Sequence, residues 1–369
     1  MKTVAVSGIL ACMAAGLVAL GAEQGTTPVV RADVPTTTQA AGAVSGSRVV
    51  HKKTDQMRGF SMRLIDPTVK GVNGYLEAID ELADMGCTWV NLPVAAYQDN
   101  VKSETIVLAT DDAPSDADIL KIMARAKARG MGIMMMPTVL LKNTGSKDWR
   151  GVINPPNWDR WFTSYNAFVT HLARLAQKGE VDIFVVGSEL LSTEPYRNRW
   201  VKTIGAIRNE YKGKLTYSAN WDHYEAVTFW DQLDYVGMNN YYELAKTPGA
   251  TVTELNATWK PIQEKILAFA AEQNKPFMFT EVGWHNLVNT LSEPWNYVAA
   301  DPIDHGEQRR AYESFVETWK PVPKEQFMGA FIWEWYPDGK VVNGNFSRGT
   351  YSLQSTPALE VVKKWFAMP

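Results

Sequence analysis

The sequence predicts an α/β protein, a single (β/α)8 or TIM barrel, and three observations predict it. Strand-like and helix-like segments alternate regularly beyond about Gln56, the pattern of a parallel α/β sheet. Eight of each can be counted, which is the number that closes a barrel. The 369 residues, 46% of them apolar, bury a large core without needing a second domain.

The first strand is Arg58 to Ile65, followed by a helix from about Gly74 to Met85 with Leu76, Ile79, Leu82 and Ala83 on one face. Gly86 stops that helix. Strand two is Thr88 to Ala95, and the next helix opens after Pro114 with Ser115 as N-cap and runs to Arg129 before Gly130. Strand three is the methionine-rich Met131 to Leu140, after which a loop containing Trp149 leads to a helix from Asn157 to Gln177. Val181 to Leu190 is strand four, Pro195 to Tyr211 its helix, and Lys214 to Trp221 strand five. A short helix at Tyr224 to Trp230 precedes strand six, Leu233 to Tyr242, and a long helix covers Val252 to Gln273. Strand seven is Pro276 to Trp284, the next helix Glu307 to Trp319, strand eight Phe327 to Trp335, and Pro357 to Phe366 closes the set.

Ahead of the barrel, residues 1–22 read as a signal peptide and 23–55 as a disordered linker, leaving 56–369 as the folded domain. Lys2 precedes an apolar, small-residue stretch from Val4 to Leu20, and Leu-Gly-Ala before Glu23 fits cleavage near Gly21 or Ala22. The stretch is short and rich in Gly and Ala for a membrane anchor. A lipid-anchored form through Cys12, preceded by Ile-Leu-Ala, is the alternative, although the apolar run continues past it. The expected destination is secreted or periplasmic. Removal of the leader leaves only Cys87, read as an inert buried thiol with no disulfide partner.

Composition narrows the chemistry. A net charge of −3 offers no basic field for nucleic acid. No phosphate-binding glycine loop, Cys-x-x-Cys, His-Glu-x-x-His or, in the folded part, Gly-x-Ser-x-Gly occurs, so no cofactor, no metal and no serine triad is expected. No obligate protein partner is evident. The 14 Trp, 14 Tyr and 13 Phe exceed what a core needs, which leaves rings to line a cleft and stack on sugars.

Glu189 in Val-Gly-Ser-Glu-Leu and Glu281 in Phe-Thr-Glu-Val-Gly-Trp end strands four and seven, so both open into the barrel mouth where active sites gather. Strand alternation puts Val185, Gly187 and Glu189 on one face, and Phe277, Phe279 and Glu281 on another, so each glutamate extends an inward row. Two such carboxyls, about 5 to 5.5 Å apart, are what a retaining glycosidase uses. The competing reading is a pair of rim salt bridges.

From about Gly59 to Phe366 the chain resembles glycoside hydrolase family 113, within a clan of retaining barrel glycosidases. Gly86 to Pro93 with Tyr97-Gln98 resembles its second strand and loop, and Val186 to Leu190 its acid/base strand. Arg208 to Asp222 is similar to the strand-five signature, Phe229 to Tyr242 continues in register, and Phe279 to Trp284 resembles the nucleophile strand. The resemblance implies β-mannan or manno-oligosaccharides as substrate, Glu189 as acid/base, Glu281 as nucleophile, and Tyr241 as the donor that orients Glu281, with Tyr242 as the fallback. The clan places Asn before the acid/base where this chain has Ser188, Trp284 stands where a smaller or tyrosyl residue is usual, and Phe346 to Ala358 matches loosely, which leaves linkage open.

Other site residues follow from strand ends and faces. Trp333 and Trp335 share a face, and Trp333 is the candidate floor; Trp284 and Trp221 are candidate walls; Asn220, Gln98 and Arg63 are candidate hydroxyl ligands. Core packing is the alternative for each ring. Glu334, of opposite alternation, reads as an ion-pair partner, and Glu194 as a solvated helix start. Two functional alternatives stay open: an exo-acting β-mannosidase or other β-glycan hydrolase, with the insert Asn286 to Asp304 blocking one end of the cleft, and a non-catalytic carbohydrate-binding barrel.

Overall fold

The computed structural model of the protein describes residues 56–65, 71–110, 113–337 and 348–368. The leader and linker lie outside the described residues. Eight parallel strands form a closed ring: β1 (Met57–Met62), β2 (Trp89–Gln98), β3 (Gly132–Leu141), β4 (Ile183–Ser188), β5 (Lys214–Ala219), β6 (Val236–Asn240), β7 (Phe277–Val282) and β8 (Phe327–Trp335). Each pairs with the next, and β8 pairs with β1. A short antiparallel strand, Ile106–Leu108, adds to the end of β2 and was not foreseen.

Among the described residues, seven α-helices surround the ring: α1 (Asn73–Asp84), α2 (Asp116–Ala128), α3 (Trp158–Lys178), α4 (Arg197–Glu210), α5 (Val252–Glu272), α6 (His305–Trp319) and α7 (Pro357–Phe366). Local chemistry sets their starts. Ser115 caps α2 by accepting from the Asp118 N–H, Asn157 caps α3, and Thr251 with Glu254 forms a reciprocal capping box on α5. The expected helix at Tyr224 to Trp230 is instead two 3-10 turns, Tyr224–Ala226 and Trp230–Gln232. Val227, extended at φ −65° and ψ 120°, interrupts the helical run between them.

The core has two shells. Met57, Trp89, Met134, Met136, Ile183, Val185, Met278 and Phe331 fill the barrel interior, where flexible methionines suit an irregular space. The larger shell lies between strands and helices and holds most of the aromatic rings, as well as the buried free thiol of Cys87.

Strand alternation breaks at several places, and three of them bear on the mouth. On β7, Met238 of β6 pairs with Phe279 but Asn239 pairs with Glu281, so one extra residue is inserted. Phe277 and Phe279 therefore face outward onto Trp319, Met278 faces inward, and the bulge turns Glu281 back to the inside. The expected row of Phe277, Phe279 and Glu281 is thus corrected. On β4 an extra residue lies between Val185 and Ser188, and a Cβ on Gly187 would meet Trp200, Tyr165 and Tyr217 of the outer shell, so Gly187 does not continue the row of Val185. On β8 a shift at Ser61/Met62 separates Trp333 from Trp335.

Candidate active site

Glu189 follows the last residue of β4 and adopts a left-handed backbone, φ 54°. For a residue with a Cβ this costs about 1–3 kcal/mol and persists only where neighbours over-determine it. Its N–H donates to Ser218 O at 2.9 Å, and the next N–H, of Leu190, donates to the Tyr217 hydroxyl at 2.9 Å. The result is a buried carboxyl aimed back across the mouth. Its Oε1 accepts from Asn239 Nδ2, and its Oε2 pairs with the guanidinium of Arg150, from the 3-10 turn Arg150–Val152 after β3.

Asn239 has one possible amide orientation. Trp221 N–H donates to its Oδ1 at 2.9 Å, and a backbone N–H can only donate, so the amide NH2 must face Glu189. The same Asn239 stands in register opposite Glu281. One residue thus links the two strand ends, to Glu189 by its side chain and to Glu281 by strand pairing.

Glu281 is buried, and its Oε1 accepts from the Tyr241 hydroxyl. Burial pushes its pKa from 4.5 up to about 8, and the charge of Glu189 adds to the rise, while Tyr241 and Arg150 pull it down and Glu334 pushes it up. The interaction with Glu189 places the two carboxyls in one electrostatic unit.

The other expected residues divide into those at the mouth and those outside it. Trp333 is partly exposed and packs on the barrel-interior cluster. Trp221 is half-buried and stacks on Trp295 at 6.0 Å and 14°. Asn220 is buried with no partner for its Oδ1. Trp335 does not share the face of Trp333: the β8 shift sends it into the outer shell, edge-on to Phe60 at 5.2 Å. Trp284 is fully buried against Tyr312 and Phe315 of α6, so it walls no cleft. Gln98 is also fully buried, its Oε1 accepting from Trp161 Nε1 at 2.8 Å and its Nε2 donating to Asn100 O at 2.7 Å. Arg63 pairs with Glu334 at 3.2 Å and lies over Tyr336. Tyr242 points outward, its hydroxyl on Trp221 O at 3.0 Å. Among the described residues no group of three or more His, Cys, Asp or Glu is arranged to hold a metal ion.

The sequence profile of Glycoside Hydrolase Family 113 matches residues 73–353. The chain belongs to this family. It is a glycoside hydrolase, and solved structures of the family share its fold. A complex of a family 113 β-1,4-mannanase superposes with a TM-score of 0.75 at 23% identity, over 86% of this chain and 100% of that one. The family 113 β-mannanase AaManA from Alicyclobacillus acidocaldarius, in complex with ManMIm, superposes with a TM-score of 0.73 at 26% identity, over 85% and 97%. A family 5 mannosidase from Rhizomucor miehei, at 11% identity and a TM-score of 0.59 over 85% and 92%, shares the fold alone. No curated protein matches the sequence.

Three residues of this candidate site escaped the sequence reading. Asn239 was accessible, since it lies two positions before Tyr241 and so on the same strand face. Arg150 and Trp295 sit in loops, where no periodicity reports direction.

Glu194, expected to be solvated, is fully buried: its Oε1 accepts from the Tyr217 hydroxyl at 2.8 Å and its Oε2 lies 3.6 Å from His223 Nε2. Burial raises its pKa from 4.5 to about 8, against the Tyr217 bond and with the charge of Asp222 adding to the rise. The folded family 113 barrel therefore binds a proton here that the unfolded chain releases above about pH 4.5. Stability contributed by this group is complete below that pH and is lost as pH climbs to about 8, by up to about 1.4 kcal/mol per pH unit. Glu281 acts in the same direction over the same window. Urea unfolding at intervals from pH 5 to 8 is expected to show wild-type stability falling, and Glu194→Gln falling less steeply because one of the two groups no longer titrates. Equal slopes would contradict the assignment.

Proposed function

We propose that the protein cleaves β-1,4-mannosidic linkages in β-mannan or manno-oligosaccharides with retention, Glu281 attacking the sugar carbon and Glu189 serving as acid and then base. The observation that carries this reading is the coupled pair itself: Glu189 and Glu281 end β4 and β7, and Asn239 donates to one while standing opposite the other. The two carboxyls share one proton, and in the reacting form Glu189 carries it: ionised Glu281, oriented by Tyr241, forms a glycosyl ester while Glu189 protonates the departing oxygen. Arg150 and Asn239 then face a carboxylate they can stabilise. In the second half-reaction that carboxylate takes a proton from water, which attacks the ester and restores both groups.

Ring placement supports a sugar polymer as substrate. Trp333 packs on the interior cluster and stays partly exposed, and Trp221, whose backbone N–H binds Asn239, carries Trp295 stacked on its half-buried ring. Mannan as the specific glycan is supported by family membership and by what its structural relatives act on. Export belongs to the same reading, since such polymers lie outside the cell and the stretch Val4 to Leu20 has the composition of a secretory leader.

Exo action has one observation in its favour. The insert from Asn286 to Asp304 is anchored, not loose: Leu287 and Ile303 form an antiparallel bridge, the Tyr351 hydroxyl holds Pro294 O at 2.6 Å, and Trp295 is stacked on Trp221. A panel of β-mannan, glucomannan, xylan and cellulose, followed by NMR of the first-formed anomer, tests these readings together. Cleavage of both mannans with the β-anomer appearing first is expected. A first-formed α-anomer would sink the retaining mechanism, and turnover confined to xylan or cellulose would sink the substrate. Mixed oligosaccharides mark endo action, whereas mannose alone marks the exo reading.

A further inference from the structure

Glu194 is a buried carboxyl that the mechanism above does not use. Glu194 is inaccessible to solvent, five residues past Glu189, and its contact with Tyr217 belongs to a chain that ends at the left-handed turn. Direction along that chain is fixed by chemistry. The Leu190 N–H can only donate, so the Tyr217 hydroxyl accepts it and keeps its single hydrogen for Glu194 Oε1.

We propose that Tyr217 and Glu194 are positioning residues that hold the Glu189–Leu190 peptide in its left-handed conformation and so aim the Glu189 carboxyl at the departing oxygen; this rests on Glu189 being the acid/base. The strained turn has few other holds. Glu189 N–H is bound to Ser218 O, and Leu190 O accepts from Thr193 N at 2.8 Å and from Thr193 Oγ1 at 2.6 Å. Without the Tyr217 hydroxyl, the N–H that follows the strained residue loses its acceptor in a site closed to water.

The rest of the network is built to keep Tyr217 still. Its ring is wedged between Trp200 at 5.5 Å and Phe229 at 5.3 Å. Glu194 is itself fixed, with its carbonyl accepting from Thr228 Oγ1 at 2.9 Å. Its carboxyl retains a proton at neutral pH because burial raises its pKa to about 8. An amide carbonyl can therefore replace the accepting oxygen.

The test separates aim from stability by using two leaving groups. Departure of a mannosyl unit needs a proton from Glu189, whereas 2,4-dinitrophenolate leaves unaided. Tyr217→Phe is expected to lower kcat on β-mannan by about 10- to 100-fold, the scale of a misplaced catalytic group, with KM little changed. On 2,4-dinitrophenyl β-mannoside its kcat/KM should stay within about twofold of wild type. A second pair of variants covers the event that Tyr217→Phe does not fold. Glu194→Leu removes the acceptor for the Tyr217 hydrogen and should reproduce the same split, and Glu194→Gln should rescue it.

Equal losses on both substrates would overturn the proposal by showing a general structural role. Unchanged mannan turnover in Tyr217→Phe or in Glu194→Leu would overturn it as well. Glu189→Ala run beside them distinguishes a failure of the underlying reading: if that variant shows no leaving-group split, the acid/base assignment falls first.

Discussion

Glu281→Ala is expected to abolish mannan turnover, by a factor on the order of 10⁴ or more, because no other group described at the mouth is placed to take over the attack. Tyr241 donates to this carboxyl, and the bulge between Phe279 and Glu281 exists where an unbroken β7 would have pointed it at α6. Alanine leaves a small vacancy on the face opposite the leaving group. Azide added to the variant with 2,4-dinitrophenyl β-mannoside should enter that vacancy and give α-mannosyl azide, the product of one displacement. Recovery of the β-azide, or mannan cleavage that survives, would remove Glu281 from the nucleophile role. Folding should not suffer. A buried carboxyl whose pKa is raised by burial and by a like charge disfavours the folded state near neutral pH, so the variant should melt no lower than wild type at pH 7.

Barrel class was legible because eight apolar runs and their helices repeat with the periods of strand and helix, and the physics behind those periods is local. The site was legible by a different route. Both glutamates end their strands at the mouth, yet the rows that were to carry them there do not exist, since Phe277 and Phe279 face α6 and Gly187 faces Trp200. Bulges depend on the pairing of neighbouring strands and cannot be counted along one strand. They also concentrate at sheet ends next to active sites, where a side chain has to be re-aimed.

The aromatic residues failed for a related reason. In this fold the outside of the barrel is covered by helices and is as apolar as the inside, so a tryptophan at a strand end has two dry places to go. Trp284 and Trp335 went outward against Tyr312 and Phe60, while Trp333 stayed inside. Glu194 shows the same limit for charge. A polar residue just past a strand looks solvated in sequence, and only the fold reveals that Tyr217 supplies its bond from β5.

Glu189→Ala is expected to behave as the mirror image of the nucleophile variant in three measurements. Mannan turnover should fall by about 10²- to 10⁴-fold, the contribution of a positioned general acid. For 2,4-dinitrophenyl β-mannoside, kcat/KM should be nearly preserved because that leaving group needs no proton, while kcat and KM both drop as the glycosyl ester accumulates for want of a base. Azide then attacks the ester from the face Glu189 has vacated, so the product should be β-mannosyl azide, opposite in configuration to that from Glu281→Ala. Stability should diverge too. Glu189 supplies the carboxyl that faces the buried guanidinium of Arg150, and removing one partner of a buried pair costs about 3–5 kcal/mol where nothing else compensates. Thermal melting of the two variants at pH 7 should therefore place Glu189→Ala below wild type and Glu281→Ala at or above it. The reverse order would mean that Arg150 serves the nucleophile and not Glu189.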